Sequence, residues 1–211
     1  MSTTDVEAAV ASVASVAFRQ RLLSALAECI EEDGYRHTTV ADIVRRARTS
    51  RRTFYEHFAS KEACFVALLT AKNAELIGVI RASVDSAAPC SVQLRQAIEA
   101  WIGCTEAEPA ITVSWIRDVP ALGDMSRELQ RSTLGAFVVM IQDLCATPLW
   151  HLARGTSAPV SRELAILLLG GLTELTATTV EDGGQIRDIT EVAVAASTAL
   201  LLPGPATQFP R

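Results

Sequence analysis

Aromatic side chains are scarce in this 211-residue chain, 5% against 49% hydrophobic residues overall. The apolar mass is therefore alanine, leucine and valine, a mix that suits helices better than sheets. No stretch sustains the period-2 alternation of a half-buried strand, and no internal repeat is evident. Histidines number three, and neither an HExxH pair nor a glycine-rich phosphate loop is present. That leaves a metallohydrolase or nucleotide enzyme without its parts. Five cysteines (Cys29, Cys64, Cys90, Cys104, Cys145) are scattered with no CxxC spacing and no neighbouring histidine. A disulfide framework and a zinc site are excluded on spacing, and reduced thiols in a cytoplasmic protein are expected. The N-terminal run lacks a basic n-region, so no signal peptide is expected. The strongest uncharged apolar run, Ala165–Leu172, lies between Glu163 and Glu174. It is too short to span a bilayer, and no membrane partner is expected.

Charge, by contrast, is strongly uneven. The chain carries a formal net charge of −5, yet residues 36–61 hold six arginines and Lys61 against only Asp42 and Glu56. Within that window lies TSRRTFYEHFASKE, residues 49–62, which gathers arginines, aromatics, a histidine and a lysine. Such segregation inside an acidic protein implies a local anionic partner.

The pattern around this segment is helical. A helix is expected over Arg19–Glu32, with Phe18, Leu22, Ala25, Leu26 and Cys29 on one face, stopped at Asp33-Gly34. Thr39 can cap the next helix, with Asp42 in a capping-box position and Val40, Ile43, Val44 and Ala47 forming the apolar stripe. After a short turn, Ser50 can cap a brief helix, RRTFYEHF. Phe54 and Phe58 would face inward there, while Arg51, Arg52 and Tyr55 face out. Ser60 then caps a long helix from Lys61 to about Ser83. Further helices are expected over Val92–Cys104, Pro109–Asp118, Asp124–Ala146, Ser161–Val180 and Gln185–Leu201. Thr147–Pro159 is read as a connection, and residues 1–14 and 203–211 as disordered tails.

Two short helices joined by a tight turn, the second exposing Arg-Arg-x-x-Tyr, match helix-turn-helix geometry. A major groove admits one such helix, and the arginine fork can hydrogen-bond guanine bidentately. Arg45, Arg46 and Arg48 read either as a solvated helix face or as phosphate contacts. His57 has no nucleophile or carboxylate partner placed with it, so no catalytic residue, cofactor or metal is assigned.

Residues from Arg19 to about Val66 resemble the TetR family of one-component transcriptional regulators. Thr38-Thr39-Val40, Asp42-Ile43, Thr53-Phe54-Tyr55, His57-Phe58 and Lys61-Glu62 carry the resemblance, with Gly34-Tyr35 and Ala47. It implies an all-α homodimer: a three-helix DNA-binding domain over residues 15–60, then a ligand-binding and dimerisation domain over 61–202. A small molecule would release a repressor from a palindromic, double-stranded operator. The DNA-facing positions would be Thr39, Ser50, Arg51, Arg52, Thr53, Tyr55, His57 and Lys61, with Arg48 and Thr49 in the turn. That turn departs from the family: Ala47-Arg48-Thr49 stands where Ala-Gly-Val is frequent, and Arg52 where glycine often stands. A bulky Arg48 at such a position implies strain or a different turn.

The rest of the chain is less specific. Phe65, Leu69, Trp101, Trp115, Met125, Phe137 and Met140 are candidates for the wall of an effector pocket, with core packing as the competing account. Arg117 and Asp118 are candidate polar contacts or a pair with each other. A lining so poor in charge suits an apolar or aromatic effector. The apolar segment around Gly170-Gly171 and the small-residue-rich last helix read as a dimer interface or as monomer core. The candidates are Leu164, Leu168, Gly171, Leu172, Leu175, Val192 and Ala196. Two other classes remain open: a small helical enzyme with an apolar pocket, and a helical module whose basic helix binds an acidic protein.

Overall fold

The computed structural model describes residues 3–202, with side chains from residue 15 onward. Among the described residues ten α-helices run in order: α1 (Thr3–Asp33), α2 (Val40–Arg46), α3 (Arg51–His57), α4 (Lys61–Ser83) and α5 (Cys90–Ala107). Then follow α6 (Pro109–Arg117), α7 (Asp124–Leu144), α8 (Pro148–Arg154), α9 (Arg162–Glu181) and α10 (Thr190–Leu201). Short 3-10 turns fall at Val119–Leu122 and Ile186–Ile189, and no strand occurs among the described residues. The all-α expectation holds.

Local chemistry accounts for the boundaries. Gly34 adopts φ +77° and its N–H reaches the Ile30 carbonyl at 2.9 Å, which stops α1. The Asp42 N–H donates to Thr39 Oγ1, while the Asp42 carboxylate accepts from the Thr39 N–H, so α2 opens on a complete capping box. Ser50 Oγ accepts from the Thr53 N–H at 3.1 Å to open α3. Ser60 Oγ accepts from the Ala63 N–H at the start of α4.

Two expectations need correction. The stretch 1–14, read as loose, is helical from Thr3 onward. Five alanines between residues 8 and 17, with no glycine or proline before Gly34, favour helix continuation. Residues 1–2 and the tail 203–211 lie outside the described residues. Thr147–Pro159, read as a connection, contains α8. Thr147 caps it, Pro148 occupies its first turn, and Gly155 closes it in the left-handed region at φ +66°. Pro148 starts a helix rather than breaking one, because its missing N–H falls in the first turn, where no intrahelical partner exists.

The chain forms two compact units. One takes the chain up to Ala71 together with Ala110–Ser126, and the other takes Lys72–Pro109 with the chain from Arg127 onward. In the first, Leu22, Leu26, Ile30, Ile43, Phe54 and Phe65 are fully or nearly fully buried. In the second, α5 packs against α10 and α8 around Ile98, Ile102, Phe137, Ile141, Trp150 and Leu172. Arg95 grips Glu191 with both Nη atoms at 2.7 and 2.9 Å, tying α5 to α10. By length and composition alone, α4 and α9 are each apolar enough to cross a membrane. The run Ala165–Leu172 is itself too short to span, but the whole of α9, which contains it, is not.

Candidate nucleic-acid interface and apolar cavity

The first unit builds a helix-turn-helix. α2 packs on α1 and α3 on α2. Phe54 is fully buried and meets the Phe58 ring at 5.8 Å and the Tyr55 ring edge-on at 5.3 Å. Fixing Phe54 inward forces the opposite face of α3 outward: Arg51, Arg52, Tyr55 and Glu56 are exposed, and Thr53 and His57 are half-buried.

The turn is a Schellman closure. The Thr49 N–H donates to Val44 O at 2.9 Å and the Arg48 N–H to Arg45 O at 3.2 Å, with Arg48 at φ +50°. The strain expected at Arg48 is therefore present, because its Cβ crowds a conformation that glycine adopts without penalty. Arg21 of α1 donates to the Ala47 carbonyl and, at 3.4 Å, to the Arg48 carbonyl. It caps the end of α2 from outside, a contact 26 residues away that no local pattern could reveal.

Most of the basic run is already paired. Arg45 bonds Asp42 at 2.9 Å, and Arg46 meets Glu32, with Glu28 at 3.5 Å. The Arg46 guanidinium holds the Glu32 carboxyl below its ordinary range, and Thr39 does the same to Asp42 by hydrogen bonding. Arg36 donates to Asp118 at 2.7 Å and to the Arg117 carbonyl at 3.3 Å. Asp118 is thus taken by Arg36 rather than by Arg117, against one sequence alternative. Arg52 Nε donates to Glu56 at 3.0 Å. Arg48 and Arg51, flanking the turn, pair with no carboxylate among the described residues. Exposed ion pairs of this kind contribute only about 0–1 kcal/mol each.

Lys61, a DNA-facing candidate by resemblance, is half-buried at the start of α4. Its Nζ donates to the Tyr35 carbonyl at 3.1 Å and the Thr38 carbonyl at 2.9 Å, and sits 4.2 Å from the Tyr35 ring centroid. Tyr35 in turn stacks on Phe65 at 3.9 Å, and burial pushes its phenol up in pKa. Lys61 therefore clamps the α1–α2 junction that aims the helix-turn-helix.

The second unit holds a cavity of about 60 Å³. Its wall is Ile80, Ile98, Phe137, Met140, Leu168 and Leu172 among other aliphatic side chains, with Trp101 and Trp150. Among the described residues no charged side chain lines it. Its polar members are Gln93 and Cys145. Gln93 is buried and fully engaged: its Nε2 donates to Ser86 O and Ala88 O, and its Oε1 accepts from Trp150 Nε1 at 2.9 Å. Burial pushes the Cys145 thiol up to about 12, so it stays neutral.

Of the eight effector-wall candidates, Trp101, Phe137 and Met140 come together here. Phe65 and Leu69 are core of the first unit, where Trp115, Arg117 and Met125 also lie. Of the dimer candidates, Leu168 and Leu172 face the cavity, and Leu164 and Leu175 pack against the core. Gly171, Val192 and Ala196 are exposed. Gln93, Trp150 and Cys145 escaped sequence reading; Trp150 stands in the unexpected α8. Among the described residues no group of three or more His, Cys, Asp or Glu side chains could hold a metal.

A two-helix unit with a capped, outward-facing, arginine-bearing second helix has the geometry of a helix-turn-helix. Residues 22–68 match the family model described as bacterial regulatory proteins, tetR family. That segment, under a quarter of the chain, is what the chain shares with the tetR family. No curated protein matches the chain. Among solved structures, it is similar to the fatty acid degradation regulator FadR of Bacillus halodurans (TM-score 0.67, 16% identity, 90% of this chain and 97% of that one). It is also similar to FadR of Bacillus subtilis in complex with stearoyl-CoA (0.69, 16%, 88% and 98%) and to Salmonella enterica GusR (0.65, 20%, 87% and 95%).

Proposed function

We propose that the chain is a dimeric repressor, released from a palindromic operator by a small, uncharged, apolar or aromatic molecule bound in the cavity of its second unit. The observation that carries the effector class is the wall itself. It has no charged side chain, and its one amide already satisfies its hydrogen bonds internally. A charged effector would lose its hydration there without a counter-charge, a loss of several kcal/mol per ion. FadR of Bacillus subtilis holds an acyl-CoA; in this chain an acyl tail fits the wall better than a phosphate-bearing head.

At about 60 Å³ the cavity is well below the about 300–1,000 Å³ of a usual ligand pocket. The effector must therefore bind a widened form, and that difference in affinity between two forms is what can drive release. The exposed Leu167, Gly171, Val192 and Ala196 supply an apolar, small-residue face for a second copy. The same face and the protein core account for the apolar character of α9 without a membrane. Two recognition helices in a dimer would read half-sites about one helical turn apart, or a multiple of it. A DNA-binding role places the chain with the chromosome, in the cytoplasm.

Fluorescence anisotropy against the intergenic DNA beside its gene, at several salt concentrations with scrambled duplex as control, tests the reading. Tight, selective and steeply salt-dependent binding is expected, and a neutral apolar compound should reverse it. Equal weak binding to both duplexes, followed by failure of a random-duplex selection, would overturn it.

A further inference from the structure

We infer that Glu56 is a positioning residue for base recognition: it holds Arg52 so that the guanidinium presents its terminal fork to a guanine. The inference rests on the DNA-reading function proposed above. Arg52 and Glu56 lie one turn apart on α3, and the contact between them is the single bond from Nε to Oε1 at 3.0 Å. Arg52 is 90% exposed in its side chain, and Glu56 55%. A carboxylate gripping Nε leaves both Nη groups at the far end, and these are the donors that meet guanine O6 and N7 together.

An acidic side chain on a DNA-reading helix is otherwise unfavourable, because it repels phosphates. Every other carboxylate paired to the basic run sits off α3: Asp42 on α2, Glu28 and Glu32 on α1, Asp118 after α6. Glu56 alone shares the exposed face of α3 with the arginines. Its benefit is therefore in discrimination rather than affinity. Holding Arg52 before binding removes rotamer entropy that the guanine contact would otherwise have to offset.

The test is a selection of bound duplexes from a random pool with the full-length chain, followed by affinity measurements on the enriched duplex and on its single-base variants. We expect a guanine in each half-site whose preference disappears in Arg52→Ala. Glu56→Ala should lower discrimination at that guanine by about three- to fivefold, the range an exposed pair can supply. It should at the same time strengthen binding to scrambled duplex. Glu56→Gln keeps an acceptor for Nε–H but loses the charge. It should strengthen scrambled binding equally while retaining most of the guanine discrimination, which separates positioning from simple charge removal. In an Arg52→Ala background, Glu56→Ala should change base preference at no position.

Three outcomes overturn the inference alone: guanine discrimination unchanged in Glu56→Ala, a preference that follows Arg51 instead of Arg52, or a Glu56→Ala effect that persists without Arg52. Failure of the wild-type chain to enrich any sequence overturns the DNA-reading function and this inference with it.

Discussion

Arg48 concentrates two opposing demands in one residue. At φ +50° its side chain strains the end of α2, while its charge stands beside the groove-facing helix without a carboxylate partner among the described residues. Arg48→Gly relieves left-handed strain of about 1–2 kcal/mol, partly offset by the added freedom of glycine in the unfolded chain, about 0.4–1 kcal/mol. The net expectation is a thermal midpoint raised by about 1–3 °C, together with weaker DNA binding whose salt slope falls by about 0.9. Thermal melts and anisotropy titrations on one preparation check both; a stability gain without the affinity loss would remove Arg48 from the interface. The buried thiols make a second prediction. Cys64 and Cys145 are both pushed up to about 12 by burial. The fold keeps their protons and the unfolded chain releases them near 9.0. This contribution to stability is therefore complete below the ordinary thiol pKa and is lost as pH rises from there toward about 12. Urea midpoints should stay level near neutrality and fall by pH 10, and the fall should be smaller in Cys145→Val. An equal fall in that variant would assign the effect to other groups.

At the scale of helices, the DNA-reading element depends on its caps more than on its length. α3 has seven residues, too few to persist alone. Ser50→Ala removes the acceptor for the Thr53 N–H and should cost about 1 kcal/mol, seen mainly as weaker operator binding, because α3 frays before the core opens. Lys61→Met tests the clamp: losing two carbonyl bonds and the ring contact should lower the thermal midpoint. A residue that touched only phosphates would leave the melt unchanged and flatten the salt slope instead. These elements also mark what sequence could reveal. Thr39, Ser50 and Ser60 announce their helices because a cap acts within three residues, and Phe54 and Phe58 declare the buried face of α3 by spacing. Arg21 on the end of α2, Arg36 on Asp118 and Lys61 on Tyr35 join residues far apart in the chain, so no local period carries them. α8 was hidden by Pro148, which reads as a stop until the Thr147 cap and Gly155 are considered with it. The cavity was the least legible feature, since an aliphatic residue looks the same whether its neighbour is a side chain or a void.

The chain carries a helix-turn-helix unit and a unit with a small apolar cavity, and the coupling proposed between them can be tested by closing the cavity. Ala97 of α5 lines the cavity. Ala97→Leu adds three carbons toward a space of about 60 Å³, enough to fill most of it. Overpacking a core costs about 1–3 kcal/mol when there is no room; an existing void reduces that penalty. The variant should therefore fold, dimerise and bind operator as the wild type does, since the first unit is unchanged. It should bind a neutral aromatic probe such as naphthol at least about tenfold more weakly, a difference of about 1.4 kcal/mol. Trp101 and Trp150 face the cavity and report occupancy through their own fluorescence. In the wild type, the probe concentration that shifts tryptophan emission should match the one that releases operator DNA, because linkage makes the two equilibria one. In Ala97→Leu both curves should move together to higher concentration. If operator release stayed at the wild-type concentration while tryptophan binding moved, the effector would act elsewhere and the cavity would be a packing void. If both stayed, Ala97 would not face the ligand.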